Sequence, residues 1–339
     1  MGGDMTSIAK KSFLEITDAL VRAPDQEAKL EILKDVLPHG YTSEQLLQLE
    51  LPEPRWVVPG IIPEGFTILA GCPKVGKSWF ALNLAIALSV GGRVFGKIKI
   101  KKTTVLYLAL EDTPRRLQIR LNILDALPSS DLHLRTEWSR GKKGVQALCH
   151  WKEAYPKTGL IIIDTLQRLR TPTNGSNQSY GSDYDEIAFI KKASDELEIP
   201  IIAMHHTRKM PATDFIHEIL GTSGISGAAD TDMIMKRSRR QADAELLVSG
   251  RDVEEQALAL KFVDNVGWSI MGDAAEHRQT DQRQVILEVI RNAGEPITAK
   301  EVAEATGKNS STVRTLMTKM LDEGFIYKAG YGKYAYKEA

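Results

Sequence analysis

The sequence predicts an α/β protein built on a mostly parallel sheet with helices on both faces. Near-continuous apolar runs at 66–70, 104–110, 160–163 and 199–204 alternate with helix-length segments at 79–90, 114–126 and 183–196. Strands buried on both faces read as unbroken apolar runs, and their alternation with helices is the mark of parallel crossovers. Shorter runs at 233–236, 245–249, 257–263 and 267–270 predict an antiparallel extension at one edge.

The flanks read differently. Ile8, Phe13, Ile16 and Leu20, then Leu30, Ile32, Leu33 and Val36, have helical spacing, broken at Asp25 and 38–40, which predicts an N-terminal helical extension over 1–50. The proline-rich stretch 52–63 reads as an extended connector. The sheet domain is expected over 51–270, a polar linker over 271–281, and a compact unit over 282–339. In that unit Val285, Ile286, Val289 and Ile290 mark a first helix, 299–305 a second, and Val313, Leu316, Met317 and Met320 a third, followed by a hairpin turning at 330–332. That order is a winged helix-turn-helix.

With 339 residues, more than one domain is the expectation. Lysine plus arginine equals aspartate plus glutamate, 44 against 44, so no global field draws the chain to a polyanion, and any such site must be local. Cys72 and Cys149 are the only cysteines, which excludes a disulfide scaffold and a structural zinc. The longest apolar stretch, 80–90, falls short of the ~20 residues a membrane span needs. With no signal pattern at the start, the expectation is a cytoplasmic protein without a membrane partner.

Gly71, Cys72, Pro73, Lys74, Val75, Gly76, Lys77 and Ser78 read GCPKVGKS, with Trp79 next. The motif G-x-x-x-x-G-K-[ST] follows a predicted strand and opens a predicted helix, the context that makes it a phosphate-binding loop. Glycines let the backbone approach phosphate, amides at the helix start point at the anion, Lys77 reaches the terminal phosphates and the Ser78 hydroxyl is a Mg²⁺ ligand. ATP with Mg²⁺ is the expected ligand. The run LIIID ends in Asp164 at the carboxyl edge of the sheet, the natural partner of Ser78 in the magnesium shell. Many phosphate-loop ATPases place a glutamate directly after this aspartate, but Thr165 stands here. Glu111, at the end of another strand, is the candidate for polarising water, and Asp112 reads as a helix N-cap.

The order of phosphate loop, strand ending in LED, strand ending in IIID and strand ending in HHTRK resembles the RecA-like ATPases of plasmid and phage replication, above all the RepA family of hexameric replicative helicases, over about 52–270. The resemblance implies a hexameric ring with ATP at each interface and single-stranded or forked DNA as partner. Residue by residue, it makes Lys77 and Ser78 the loop lysine and serine, Glu111 the catalytic glutamate, Asp164 the magnesium acid, His206 the γ-phosphate sensor and Arg120 the adenine-stacking arginine. Where related rings carry a lysine and an arginine flanking one residue, this chain has Ser249 and Arg251, leaving Arg251 as the candidate finger in trans. The finger of the RepA type would align near Thr222, which is no arginine.

Segments 171–183 and 208–227, the second carrying Arg208 and Lys209, occupy the positions of channel loops. The C-terminal unit adds Lys308, Arg314, Lys319, Lys328, Lys333 and Lys337 with Tyr327, Tyr331, Tyr334 and Tyr336, pointing to DNA ahead of a protein partner. A RecA-like recombination or annealing ATPase and an ATP-switched DNA-binding regulator stay open beside the helicase.

Overall fold

The computed structural model describes residues 13–34, 40–171, 180–207, 227–237 and 243–336. It divides into two compact units, Met1–Glu53 and Pro54–Ala339. In the first, the helices are Phe13–Arg22, Gln26–Lys34 and Ser43–Gln48. The break at Asp25 has a local cause, since its carboxylate accepts from Ala28 N and so starts the next helix. Thr42 and Gln45 form a reciprocal capping box on the third.

The second unit holds strands β1 Trp56–Val58, β2 Ile62–Pro63, β3 Phe66–Gly71, β4 Gly92–Val94, β5 Ile98–Ile100, β6 Thr104–Ala109, β7 Leu132–Arg135 and β8 Thr158–Asp164. They are followed by β9 Ile201–His206, β10 Thr231–Lys236, β11 Asp243–Gly250, β12 Gln256–Val263 and β13 Gly267–Asp273. The main sheet runs β13-β12-β11-β10-β3-β9-β8-β6-β7. From β10 to β7 every pairing is parallel, while β11, β12 and β13 add antiparallel ribbons on one side. The predicted RecA-like core is thus present, with one adjustment: the run at 233–236 pairs in parallel with β3 and belongs to the parallel core.

β3 and β6 are buried along their whole length, which explains their unbroken apolar sequence. One face packs against the helix Lys77–Val90 through Phe80, Leu82, Leu84 and Leu88, and the other against the helices Gly141–Ala154 and Tyr180–Leu197. The proline-rich stretch 52–63 is not a bare connector. β1 and β2 pair there, and Val57, Val58, Ile61 and Ile62 enter the core, so apolar burial outweighs the extended bias of the prolines.

The expected polar linker over 271–281 is not found. β13 runs to Asp273, whose carboxylate caps the helix Ala274–Asn292 by accepting from Ala275 and Glu276 amides, and this helix runs unbroken into the C-terminal unit. Its sequence is polar because most of it faces solvent, with Ala274 buried at its start and Ile286 and Ile290 buried at its end. There Ile286, Ile290, Val302, Val313, Leu316, Met317 and Met320 form a separate core beneath the helices Ala299–Thr306 and Ser310–Asp322. The wing, β15 Ile326–Gly330 with β16 Lys333–Tyr336, gains a third strand that the sequence did not announce, β14 Ile297–Thr298. Arg283 clamps the carboxylate of Glu323 with two bonds of 3.0 Å. Tyr334 and Tyr336 pack on this core, so of the wing tyrosines only Tyr327 and Tyr331 are exposed. Arg314 and Lys319 stay exposed on the third helix, and Lys337 lies outside the described residues.

Candidate active site

Strand register builds the site. β3 pairs with β9 so that Gly71 lies opposite His206, and β6 pairs with β8 so that Ala109 lies opposite Asp164. The loop, the histidine and both acids therefore leave the same carboxyl edge, where open parallel sheets bind ligands. They line a cavity of about 760 Å³ with Lys77, Ser78, Trp79, Glu111, Arg120, Asp164 and His206 on its walls.

Both loop glycines are required sterically. A Cβ on Gly71 would stand 2.6 Å from Met235 O, and one on Gly76 2.7 Å from the Trp268 ring, at φ values of 153° and 117°. Gly76 opens the helix Lys77–Val90 with no side chain capping it, so the first-turn amides keep their anion-binding capacity. Cys72, Pro73, Lys74 and Val75 complete the turn, which Val75 N closes on Cys72 O at 3.4 Å.

Lys77 Nζ donates to Gly71 O at 2.6 Å and Cys72 O at 3.2 Å, and lies 3.1 Å from His206 Nδ1. Burial lowers the ammonium to about 8, partly offset by the negative charge of Asp164. His206 is lowered in turn by burial and then by Lys77, so it stands as a neutral imidazole. Phosphate against Lys77 favours its charged form. Binding strength from this contact is therefore complete below about 8 and lost as pH rises beyond it. Calorimetry with ATP at about pH 8.5, in buffers of different ionisation heat, should show proton uptake on binding. Heats independent of the buffer would contradict it.

Asp164 is almost fully buried and accepts from Tyr107 Oη at 3.0 Å and from the Ser78 hydroxyl. Burial raises its carboxyl above the usual range, while these two bonds pull it back. Burial likewise keeps Tyr107 a neutral donor. A buried carboxylate beside a serine hydroxyl is the hard-oxygen set that suits Mg²⁺, so Ser78 and Asp164 fit the cation. Among the described residues there is no cluster of three or more His, Cys, Asp or Glu able to hold a metal.

Glu111 sits half exposed at the rim, with Thr165 Oγ1 donating to its Oε1 at 3.2 Å. The residue standing where a glutamate was expected thus anchors the glutamate from the next strand. Asp112 is not the helix N-cap. Thr113 caps, accepting from Arg116 N, and Asp112 is an inward-facing acid paired with Arg116 and Arg120. Arg120 is held by that pair, with its guanidinium carbon 5.5 Å over the centre of the Trp79 ring.

Phe262, Trp268 and Arg237 also line the cavity, and sequence reasoning missed all three. Phe262 meets Trp79 and Trp268 edge-on at 5.6 and 5.3 Å, Trp268 Nε1 donates to Gly76 O at 3.2 Å, and Arg237 lies 5.4 Å over Trp268. One signal existed: a turn at 264–266 makes Phe262 and Trp268 cross-strand partners.

Arg251 is elsewhere. Gly250 pairs with Thr231, which pairs with Thr67, so Arg251 leaves the opposite edge of the sheet, about 13 Å of strand from Gly71. It is 64% exposed and 3.5 Å from Asp230, so it does not reach its own loop. The segments 172–179 and 208–226, and with them Arg208, Lys209 and Thr222, lie outside the described residues.

Residues 33–212 match the family model of an AAA domain, more than half of the chain, and the chain belongs to this family. Residues 285–330 match the IclR helix-turn-helix domain. A search of the curated proteins finds no match. Among solved structures, a DnaB-like replicative helicase, described with its interactions with primase, is similar with TM-score 0.51 and 16% identity over 76% of this chain and 74% of that one. The RadB recombinase gives 0.43 and 13% over 62% and 91%. The flagellar accessory protein FlaH from Methanocaldococcus jannaschii gives 0.40 and 15% over 61% and 88%. At such identity the first likeness is one of fold, a RecA-like phosphate-loop core. No helix among the described residues is long and apolar enough to cross a membrane.

Proposed function

We propose that this protein is an ATP-driven DNA motor, a hexameric replicative helicase of a phage, prophage or plasmid replicon, of the RepA kind. The observation that carries the reading is the convergence of Lys77, Ser78, Glu111, Asp164 and His206 on one cavity at the carboxyl edge. Lys77 and the helix amides hold the phosphates of ATP, and Ser78 and Asp164 would hold Mg²⁺, which supplies charge neutralisation at the transferred phosphoryl group. Glu111 orients the attacking water, and Arg120, backed by Trp79, offers its free face to the base. His206 bonds to the γ-phosphate in place of Lys77 and reports its loss along β9 towards 208–226. The AAA domain match and the DnaB-like fold support this reading. Release of a strand from a forked duplex tests it.

Arg251, remote from its own loop yet exposed, is the finger offered to a neighbouring subunit. Mixing Arg251→Ala with Lys77→Ala subunits should restore part of the activity each lacks alone, because mixed interfaces pair an intact loop with an intact finger. No recovery in a steady-state ATPase assay would count against the shared site.

One observation favours a second reading, an ATP-switched DNA-binding regulator. The winged helix hangs on the unbroken helix Ala274–Asn292, anchored to the sheet by Ala274 and by Arg278, 3.5 Å from Glu245. That rigid joint suits a switch as well as a motor. Sequence-selective duplex binding without strand separation would favour it.

A further inference from the structure

Glu111 is held through one oxygen. Thr165 Oγ1 donates to Oε1 at 3.2 Å and Arg168 Nε approaches the same atom at 3.4 Å, while no bond to Oε2 is seen among the described residues. Thr165 is buried and fixed, but the Arg168 side chain is 52% exposed. It projects from the short helix Leu166–Leu169, which buried Leu166 and Leu169 pin to the sheet. Among the described residues only Nε of the guanidinium is paired, which leaves the forked terminal nitrogens for an oxyanion on the solvent side.

The surface beside it has the matching charge. Gly141, first residue of the helix Gly141–Ala154, sits so close to Thr171 that a Cβ would collide with the threonine hydroxyl, which brings the start of that helix, with Arg140, Lys142 and Lys143, against the segment that follows the helix of Arg168. All three are exposed, and none has an ion pair among the described residues. The helix has no acid in its first turn and no side-chain cap there. Two lysines at the positive end of a helix oppose its dipole, so this arrangement works against stability and gains only when a polyanion is present.

We infer that Arg168 is a positioning residue that couples single-stranded DNA to Glu111: a backbone phosphate drawn to this corner takes the guanidinium and leaves Oε1 free to share in holding the attacking water. A guanidinium 3.4 Å from Oε1 competes with a water for the charge on that oxygen, so release raises turnover. The inference rests on the reading of Glu111 as the water-orienting group and of DNA as partner.

The test is steady-state ATP hydrolysis by the full chain with and without poly(dT), in wild type, Arg168→Gln, Arg168→Lys and Glu111→Gln. Arg168→Gln should raise the rate without DNA by about two- to five-fold, the size of an exposed ion pair, with KM for ATP unchanged. Its stimulation by poly(dT) should fall to near one, and Arg168→Lys, which keeps the charge without the fork, should recover part of it. Neutralising Arg140, Lys142 and Lys143 should raise the poly(dT) concentration needed for half-maximal stimulation. A wild-type stimulation ratio in Arg168→Gln, with Glu111→Gln inactive, overturns the inference alone. Wild-type turnover in Glu111→Gln overturns it together with the reading beneath it.

Discussion

Lys77→Ala should lower ATP turnover by about 10²- to 10³-fold, the range found when one preorganised donor to a transition-state charge is removed. The effect is large because the ammonium stands beside loop carbonyls it already neutralises, 2.6 Å from Gly71 O and 3.2 Å from Cys72 O. Alanine leaves those dipoles unopposed where phosphate must enter. The variant should fold, since the lowered ammonium of Lys77 shows that its burial is a cost to the unliganded protein. A melting temperature at or above wild type, with turnover lost, is the expected pair of results. Full turnover would remove the loop from the account.

Glu111→Gln should keep nucleotide binding and lower turnover by about 10²- to 10⁴-fold, the usual contribution of a positioned general base. The amide is isosteric and still offers an oxygen to Thr165, so the anchor survives while the base is lost. Equilibrium binding of a fluorescent ATP analogue separates the two effects. Loss of binding in step with turnover would mean that Glu111 holds the nucleotide.

The parts of this site that were legible in the sequence are those governed by local constraint. GCPKVGKS must follow a strand and open a helix, and both flanks could be read from apolar spacing. Asp164 and His206 were legible because strands buried on both faces announce themselves, and whatever ends them falls at the ligand edge. Asp112 was misread because capping depends on one backbone torsion, and Thr113, one residue on, satisfies it equally well in sequence. The helix beginning at Ala274 was missed because it is polar for most of its length, which a period count reads as a linker. Arg251 was read as a finger in trans, and the antiparallel turn of β11 sets it at the edge away from its own loop. Trp268, 192 residues from Gly76, packs there only because β12 and β13 return to the loop, and no local pattern encodes that contact.

The winged helix was legible as a unit because its helices are amphipathic and its caps carry their usual residues, Thr298 with Glu301 and Gly307 in the left-handed region. Its tyrosines were not separable by sequence. Tyr334 and Tyr336 face the core while Tyr327 and Tyr331 face solvent, which narrows the exposed wing surface to the latter pair with Lys328 and Lys333.

Release of a labelled strand from a forked DNA duplex, followed with ATP, with a non-hydrolysable analogue and with Lys77→Ala protein, tests the motor reading most directly. Release is expected with ATP and wild-type protein, and none with the analogue or the variant. ATP hydrolysis stimulated by DNA without any strand release would contradict the helicase and leave the ATP-switched regulator in its place.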